Sequence, residues 1–169
     1  MTTIQGERVR LRPITTADRP RVCEILAAPG VARWWGDPDT ETDGLFETAP
    51  GFSSYVIETG DDVVGVIQST EELEPQYRHA GIDIAVHPDW HGRGIGTDAI
   101  RALARHLVEA GGHHRLTIDP AMANEAAIRV YRRVGFRPVG ILRAYERGPD
   151  GTWHDGLLMD LLATELTSA

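Results

Sequence analysis

The segment His91-Gly92-Arg93-Gly94-Ile95-Gly96-Thr97 constrains this chain more than any other stretch. It follows an alternating run, Gly81 to Val86, which places Ile82, Ile84 and Val86 on one face of a strand and Asp83 on the other. It leads into the strongest helical pattern of the sequence, Gly94 to Ala110. There Ile100, Leu103, Ala104, Leu107 and Val108 form an apolar stripe, and Gly111-Gly112 is the stop signal. Glycines at a strand-to-helix junction let the backbone turn tightly and come close to a bound group. The free amides and the dipole at a helix start then favour an anion. The spacing is not that of a nucleotide phosphate loop, because the Lys-Ser/Thr pair is missing, and the dinucleotide pattern G-x-G-x-x-G is not met. On these residues alone, a plain strand–helix connection stays open.

The remaining elements follow from the same patterning. Arg8 to Arg12 alternates and reads as a strand stopped by Pro13. Thr15 or Thr16 can cap a helix starting near Ala17, with Val22, Ile25 and Leu26 on one face and Pro29-Gly30 at its end. Trp34-Trp35-Gly36-Asp37-Pro38 interrupts the pattern, and a short helix fits Asp39 to Phe46. Ser54 to Glu58 and Val63 to Ser69 are strands about the turn Gly60-Asp61-Asp62, followed by an acidic loop, Glu71-Glu72-Leu73-Glu74-Pro75. Arg115 to Asp119 is a strand broken by Pro120. Asn124 caps a helix that carries Ala127, Ile128, Tyr131 and Val134 and stops at Gly135. Phe136 to Leu142 and Thr152 to Leu162 are strands, with Pro149-Asp150-Gly151 a turn between them. This order predicts an α/β fold of three layers with a central mixed sheet, in one domain spanning 1–169.

Charge and composition narrow the function. A net charge of -8 disfavours nucleic acid, which needs a positive footprint. The same charge suits a cationic ligand, although solubility alone also accounts for it. No apolar run approaches a membrane span, and the start, Met1 to Glu7, has no apolar signal region, so a cytoplasmic protein without membrane attachment is expected. The single cysteine, Cys23, allows no internal disulfide. His113-His114 are adjacent and point apart on a strand, and no Cys cluster or H-x-x-x-H pair occurs, so no metal is expected. Monomer and homodimer are both compatible with the sequence.

The glycine turn resembles the Gln/Arg-x-x-Gly-x-Gly/Ala pattern of the GNAT superfamily of N-acetyltransferases. Gly94 and Gly96 match, and His91 stands where Gln or Arg is usual. A second segment, Asn124 to Phe136, resembles that superfamily's N-x-x-A-x-x-x-Y-x-x-x-G-F. The resemblance covers essentially the whole chain. It implies a GNAT-type sheet with two splayed strands and acetyl-CoA as co-substrate. The cofactor site it implies comprises the backbone of Ile84, Ala85 and Val86, the turn residues His91, Gly92, Arg93, Gly94, Ile95, Gly96 and Thr97, and the helix residues Asn124, Ala127 and Tyr131. It gives the Tyr131 hydroxyl the role of protonating the leaving thiolate. As a core aromatic on a helical stripe, Tyr131 would need no such role.

Asp83 and Asp119 place one acid in each of two consecutive apolar strands, where an acid needs a partner or a task. With Trp34-Trp35-Gly36 they resemble the aminoglycoside 6′-N-acetyltransferases. That resemblance implies Asp83 as acceptor of the amine proton, Asp119 as a holder of the cationic sugar, and the 6′-amine of a polycationic aminoglycoside as acceptor. Trp34 and Trp35 are equally well read as loop packing or as an aromatic wall. Glu71, Glu72 and Glu74 are a solvated loop or line the cleft mouth, and Asp150 and Asp155 are placed at its border. The alternatives are an N-acetyltransferase acting on a protein N-terminus or on another small amine, and an acyl-CoA-binding module without turnover.

Overall fold

The computed structural model describes residues 2–166. Strands β1 (Ile4–Gln5) and β2 (Arg10–Pro13) come first. Helices α1 (Arg19–Ala27), α2 (Pro29–Trp35) and α3 (Pro38–Leu45) follow. Then come β3 (Phe52–Thr59), β4 (Asp62–Glu72), β5 (His79–Val86), α4 (Ile95–Glu109), β6 (Arg115–Ile118), α5 (Glu125–Val134), β7 (Arg137–Arg147) and β8 (Trp153–Leu162). One sheet of order β1-β2-β3-β4-β5-β6-β8-β7 carries them. Only β5 and β6 run parallel; the other neighbours are antiparallel.

Helices cover both faces. On one face Ile100, Leu103 and Leu107 of α4 and Ile128, Tyr131 and Val134 of α5 join Leu11, Ile57, Ile67, Ile82 and Leu116 in the larger core. On the other, Val22 and Leu26 of α1, Val31 of α2 and Leu45 of α3 cover Val56, Val66 and Ala85. Each large aliphatic side chain fully removed from water contributes about 1.5–3 kcal/mol, so the stripe on α4 anchors it. Asp98 of α4 is buried too. Its carboxylate accepts from the amides of Glu7 at 3.1 Å, Arg8 at 2.7 Å and Val9 at 3.0 Å, which ties the β1–β2 turn to the first turn of α4.

Two of the departures from the sequence expectation concern candidate site residues. Trp34 and Trp35 lie in helix α2, not in a break. Ala28, held extended by the proline after it, ends α1, and Pro29 restarts the helix at a position that tolerates its missing N–H. Glu71 and Glu72 are not loop residues: β4 continues through them, in register with Ala80 and His79.

The β5–β6 pairing positions the site. These strands pair only at Ala80–Leu116 and Gly81–Thr117. Beyond that point β6 turns away at Asp119-Pro120, and the stretch from Ile82 to Val86 keeps β4 as its neighbour on one edge with no partner from β6 on the other.

Candidate active site

Two cavities meet along the open edge of β5. The larger, about 520 Å³, runs from Ile84, Ala85 and Val86 to the start of α4 and across to α5. Gly92 and Gly94 adopt φ of 74° and 77°, a left-handed conformation that strains any side chain. A Cβ on Gly92 would meet nothing within 4 Å, so conformation, not crowding, calls for glycine there. Gly94 directly precedes α4, whose first residues, Ile95, Gly96 and Thr97, line the cavity's end, and the first amides of a helix lack intrahelical partners. Of the turn residues expected at the cofactor, His91, Gly92, Gly94, Ile95, Gly96 and Thr97 line this cavity. Arg93 does not; its guanidinium stacks 4.6 Å from the Trp90 ring. His91 lines the cavity and also bonds within the protein. Its Nε2 donates to the Val86 carbonyl at 2.8 Å, so the ring ties the turn to the end of β5.

Helix α5 supplies the opposite wall with Asn124, Ala127, Val130 and Tyr131. Asn124 caps the helix as expected, its Oδ1 accepting from the Ala127 amide at 3.2 Å. Sequence reasoning missed two cations here, Arg33 and Arg133, both on the cavity wall. Arg133 sits in the last turn of α5. Arg33 lies in α2, with its guanidinium 4.3 Å from the Trp34 ring.

The smaller cavity, about 280 Å³, is acidic. Asp83, Asp119, Glu41 and Glu146 all line it, and no Arg or His does. They come from β5, the turn after β6, α3 and β7. Asp83 is reached by solvent through the cleft, yet protein atoms crowd its carboxyl. Burial therefore pushes its pKa up, aided by the charge of Asp119 and opposed by Gln68, whose Nε2 donates to Oδ2 at 3.2 Å. Glu41 and Glu146 are half-buried, and their pKa values rise through desolvation and through the other carboxylates. Asp119 accepts from the Tyr145 hydroxyl at 2.5 Å, and this bond pushes the phenol up to about 12. Glu41, Gln68, Tyr145 and Glu146 were absent from the sequence expectation. Their only signal was polarity, which exposed positions share.

Five residues line both cavities: Trp34, Trp35, Ile84, Asn124 and Tyr131. Tyr131 is 8% exposed, and its pKa is raised by burial and by the nearby Asp83 and Asp119. The two indoles stand at the junction as a wall shared by both spaces.

Four further acids do not reach the cavities. Glu71 Oε2 lies 2.6 Å from Nε2 of the fully buried His113 side chain. Glu72 accepts from the Glu74 amide at 2.8 Å. Asp155 accepts from the Ala144 amide at 2.8 Å, on the β7–β8 pair. Asp150 is occupied in the hairpin turn by Thr152 and His154. Each is engaged by its own neighbourhood, which sequence position could not show.

Comparison with known proteins identifies the family. The family model described as "Acetyltransferase (GNAT) domain" matches residues 8–137. The chain is 27% identical over 170 residues to the aminoglycoside N(6′)-acetyltransferase type 1 of Klebsiella pneumoniae, covering 88% of this chain and 82% of that one. It is 31% identical over 147 residues to the N-alpha-acetyltransferase RimI of Mycobacterium tuberculosis, covering 86% and 89%. Among solved structures, Mycobacterium smegmatis RimJ in complex with CoA-disulfide superposes with a TM-score of 0.84 at 26% identity, over 99% of this chain and 89% of that one.

Proposed function

This chain belongs to the GNAT acetyltransferases, which transfer an acetyl group from acetyl-CoA to an amine, and on that premise we propose that its acceptor is a polycationic small molecule, the 6′-amine of an aminoglycoside. One observation carries the proposal: four carboxylates face one cavity that no cationic side chain lines. Carboxylates held together raise each other's pKa and destabilise the empty site. A ligand bearing several ammonium groups relieves that repulsion; a peptide N-terminus brings one charge. The similarity to RimI and RimJ is what supports the second reading, a protein N-terminus.

The larger cavity fits the co-substrate in chemistry. Gly92 and Gly94 leave their amides uncovered for a pyrophosphate, Arg33 and Arg133 add positive charge, and the apolar wall from Ile84 to Val86 suits the rest of the arm. Acetyl-CoA supplies the activated acyl group. Asp83, its pKa raised toward that of an amine, takes the ammonium proton directly or through water. The unpartnered edge of β5 offers backbone amides to the oxygen that gains charge. Tyr131, at the junction, gives its hydroxyl proton to the departing thiolate. Binding the cationic acceptor between Asp83 and Asp119 weakens the charges that hold the phenol proton, so the acid becomes competent when the acceptor is in place. Holding the two reactants together supplies much of the remaining acceleration.

The test is CoA release measured with kanamycin, spermidine, an alanine-initiated peptide and no acceptor. Kanamycin should exceed the peptide in kcat/KM by about a hundredfold or more. A preference for the peptide overturns the proposal in favour of the second reading, and a preference for spermidine leaves the polycation but removes the sugar.

A further inference from the structure

Strand β7 does not run straight past the acid cavity. Leu142 pairs with Gly156 and Glu146 with His154, so Arg143, Ala144 and Tyr145 all stand opposite Asp155. This bulge bends the strand and re-aims its side chains. At its centre Ala144 adopts φ 48°, the one non-glycine residue with positive φ among the described residues. An alanine there is disfavoured unless its surroundings impose the conformation. The restraint visible in the structure is Asp155, whose Oδ1 accepts from the Ala144 amide at 2.8 Å.

Asp155 also holds the other side of the cavity. Its backbone carbonyl accepts from the Met122 amide at 2.8 Å, next to an isolated bridge between Ala121 and Gly156 and to a bond from the Leu157 amide to the Pro120 carbonyl at 2.9 Å. That loop begins at Asp119. One residue thus ties down the two segments whose side chains meet in the cavity, Tyr145 and Asp119, 2.5 Å apart. Gly156 completes the fit, because a Cβ there would lie 3.0 Å from the Tyr145 ring.

We infer that Asp155 is a positioning residue for the acceptor: by holding the left-handed bend at Ala144 it turns Tyr145 and Glu146 into the acid cavity and lets the Tyr145 hydroxyl orient Asp119. Asp155 itself touches no reactant. With its carboxylate removed, Ala144 relaxes to negative φ, Tyr145 leaves Asp119, and the acceptor loses an oriented carboxylate while the co-substrate cavity is untouched. This inference rests on the proposal that the acid cavity receives the acceptor.

The experiment uses the full-length enzyme with whichever of kanamycin and spermidine gives the higher kcat/KM. Asp155→Ala should raise the acceptor KM by about tenfold, the loss of one charge-assisted contact, while acetyl-CoA KM and kcat change by less than about twofold. Asp155→Asn keeps an acceptor oxygen for the Ala144 amide and should behave like the unaltered enzyme. An Asp155→Ala enzyme with unchanged acceptor KM overturns the inference, and so does one in which acetyl-CoA KM rises in parallel. Asp83→Asn, assayed alongside, separates the two ideas. If it retains full turnover, the underlying reading of the acid cavity fails. If it is inactive while Asp155→Ala is normal, only the inference fails.

Discussion

The two cavities share a wall and differ in almost everything else. The larger is mainly apolar, carries its positive charge at Arg33 and Arg133, and is bordered by the glycine turn at the start of α4. The smaller is acidic and is formed by side chains from seven separate places in the fold. A main-chain site depends on local conformation and is written in contiguous residues. A side-chain site depends on where distant elements land. The first can therefore persist while the second diverges, so one donor site can serve enzymes with different acceptors, as the similarity to both RimI and an aminoglycoside acetyltransferase suggests.

The sharpest way to break this comparison is a change that should affect only the acid side. Asp83→Asn should lower kcat by about two to four orders of magnitude and leave acetyl-CoA KM unchanged. A parallel loss of acetyl-CoA binding would mean that the cavities are one functional unit. Tyr131→Phe probes the junction. Its kcat should fall about a hundredfold with both KM values nearly constant, measured by steady-state CoA release. A large rise in acetyl-CoA KM at normal kcat would move Tyr131 from proton donor to binding wall. Arg133→Ala addresses the donor side. Acetyl-CoA KM should rise about three- to tenfold, with a smaller effect at high salt, and acceptor KM should not move.

The smallest expected effect is on stability. Glu41 and Glu146 have pKa values raised above those of the unfolded chain. The folded state then holds protons that the unfolded state has lost, and stability falls as pH climbs from the ordinary carboxylate range through the raised values. Glu41→Gln should therefore raise Tm by about 2 °C near neutral pH and by nothing below about pH 4, where both states are protonated. Asp18 acts with the opposite sign. Hydrogen bonds from Arg12 and Thr15 hold its pKa at about 2. Its contribution is complete above the usual carboxylate value and is lost as pH falls through about 2, so thermal melts of Arg12→Met across acid pH should lack that loss.

Much of the fold was legible because its signals are local. The stripe on α4, the Asn124 cap and the alternation in β5 each lie within one element, and each element formed where its pattern stood. Helix α2 was hidden because Pro29-Gly30 reads as a stop, although Pro29 serves as a start once Ala28 is extended. The end of β7 was hidden because a bulge breaks the alternation at Ala144. In the site, Asp83 and Asp119 stood out as acids among apolar residues, whereas Glu41 and Glu146 had no such background to mark them.

By itself the sequence determined the larger cavity's glycine turn at a helix start and the segment Asn124 to Phe136, both written in contiguous residues. Only the tertiary structure decided the acid cavity. The β5 and β6 strands part after two paired positions, and into that gap come carboxylates separated by up to about a hundred residues. It also sent Glu71 to His113 and Asp155 to Ala144. A carboxylate is fixed by whichever donors or charges surround it, and those neighbours are set by the packing of distant elements.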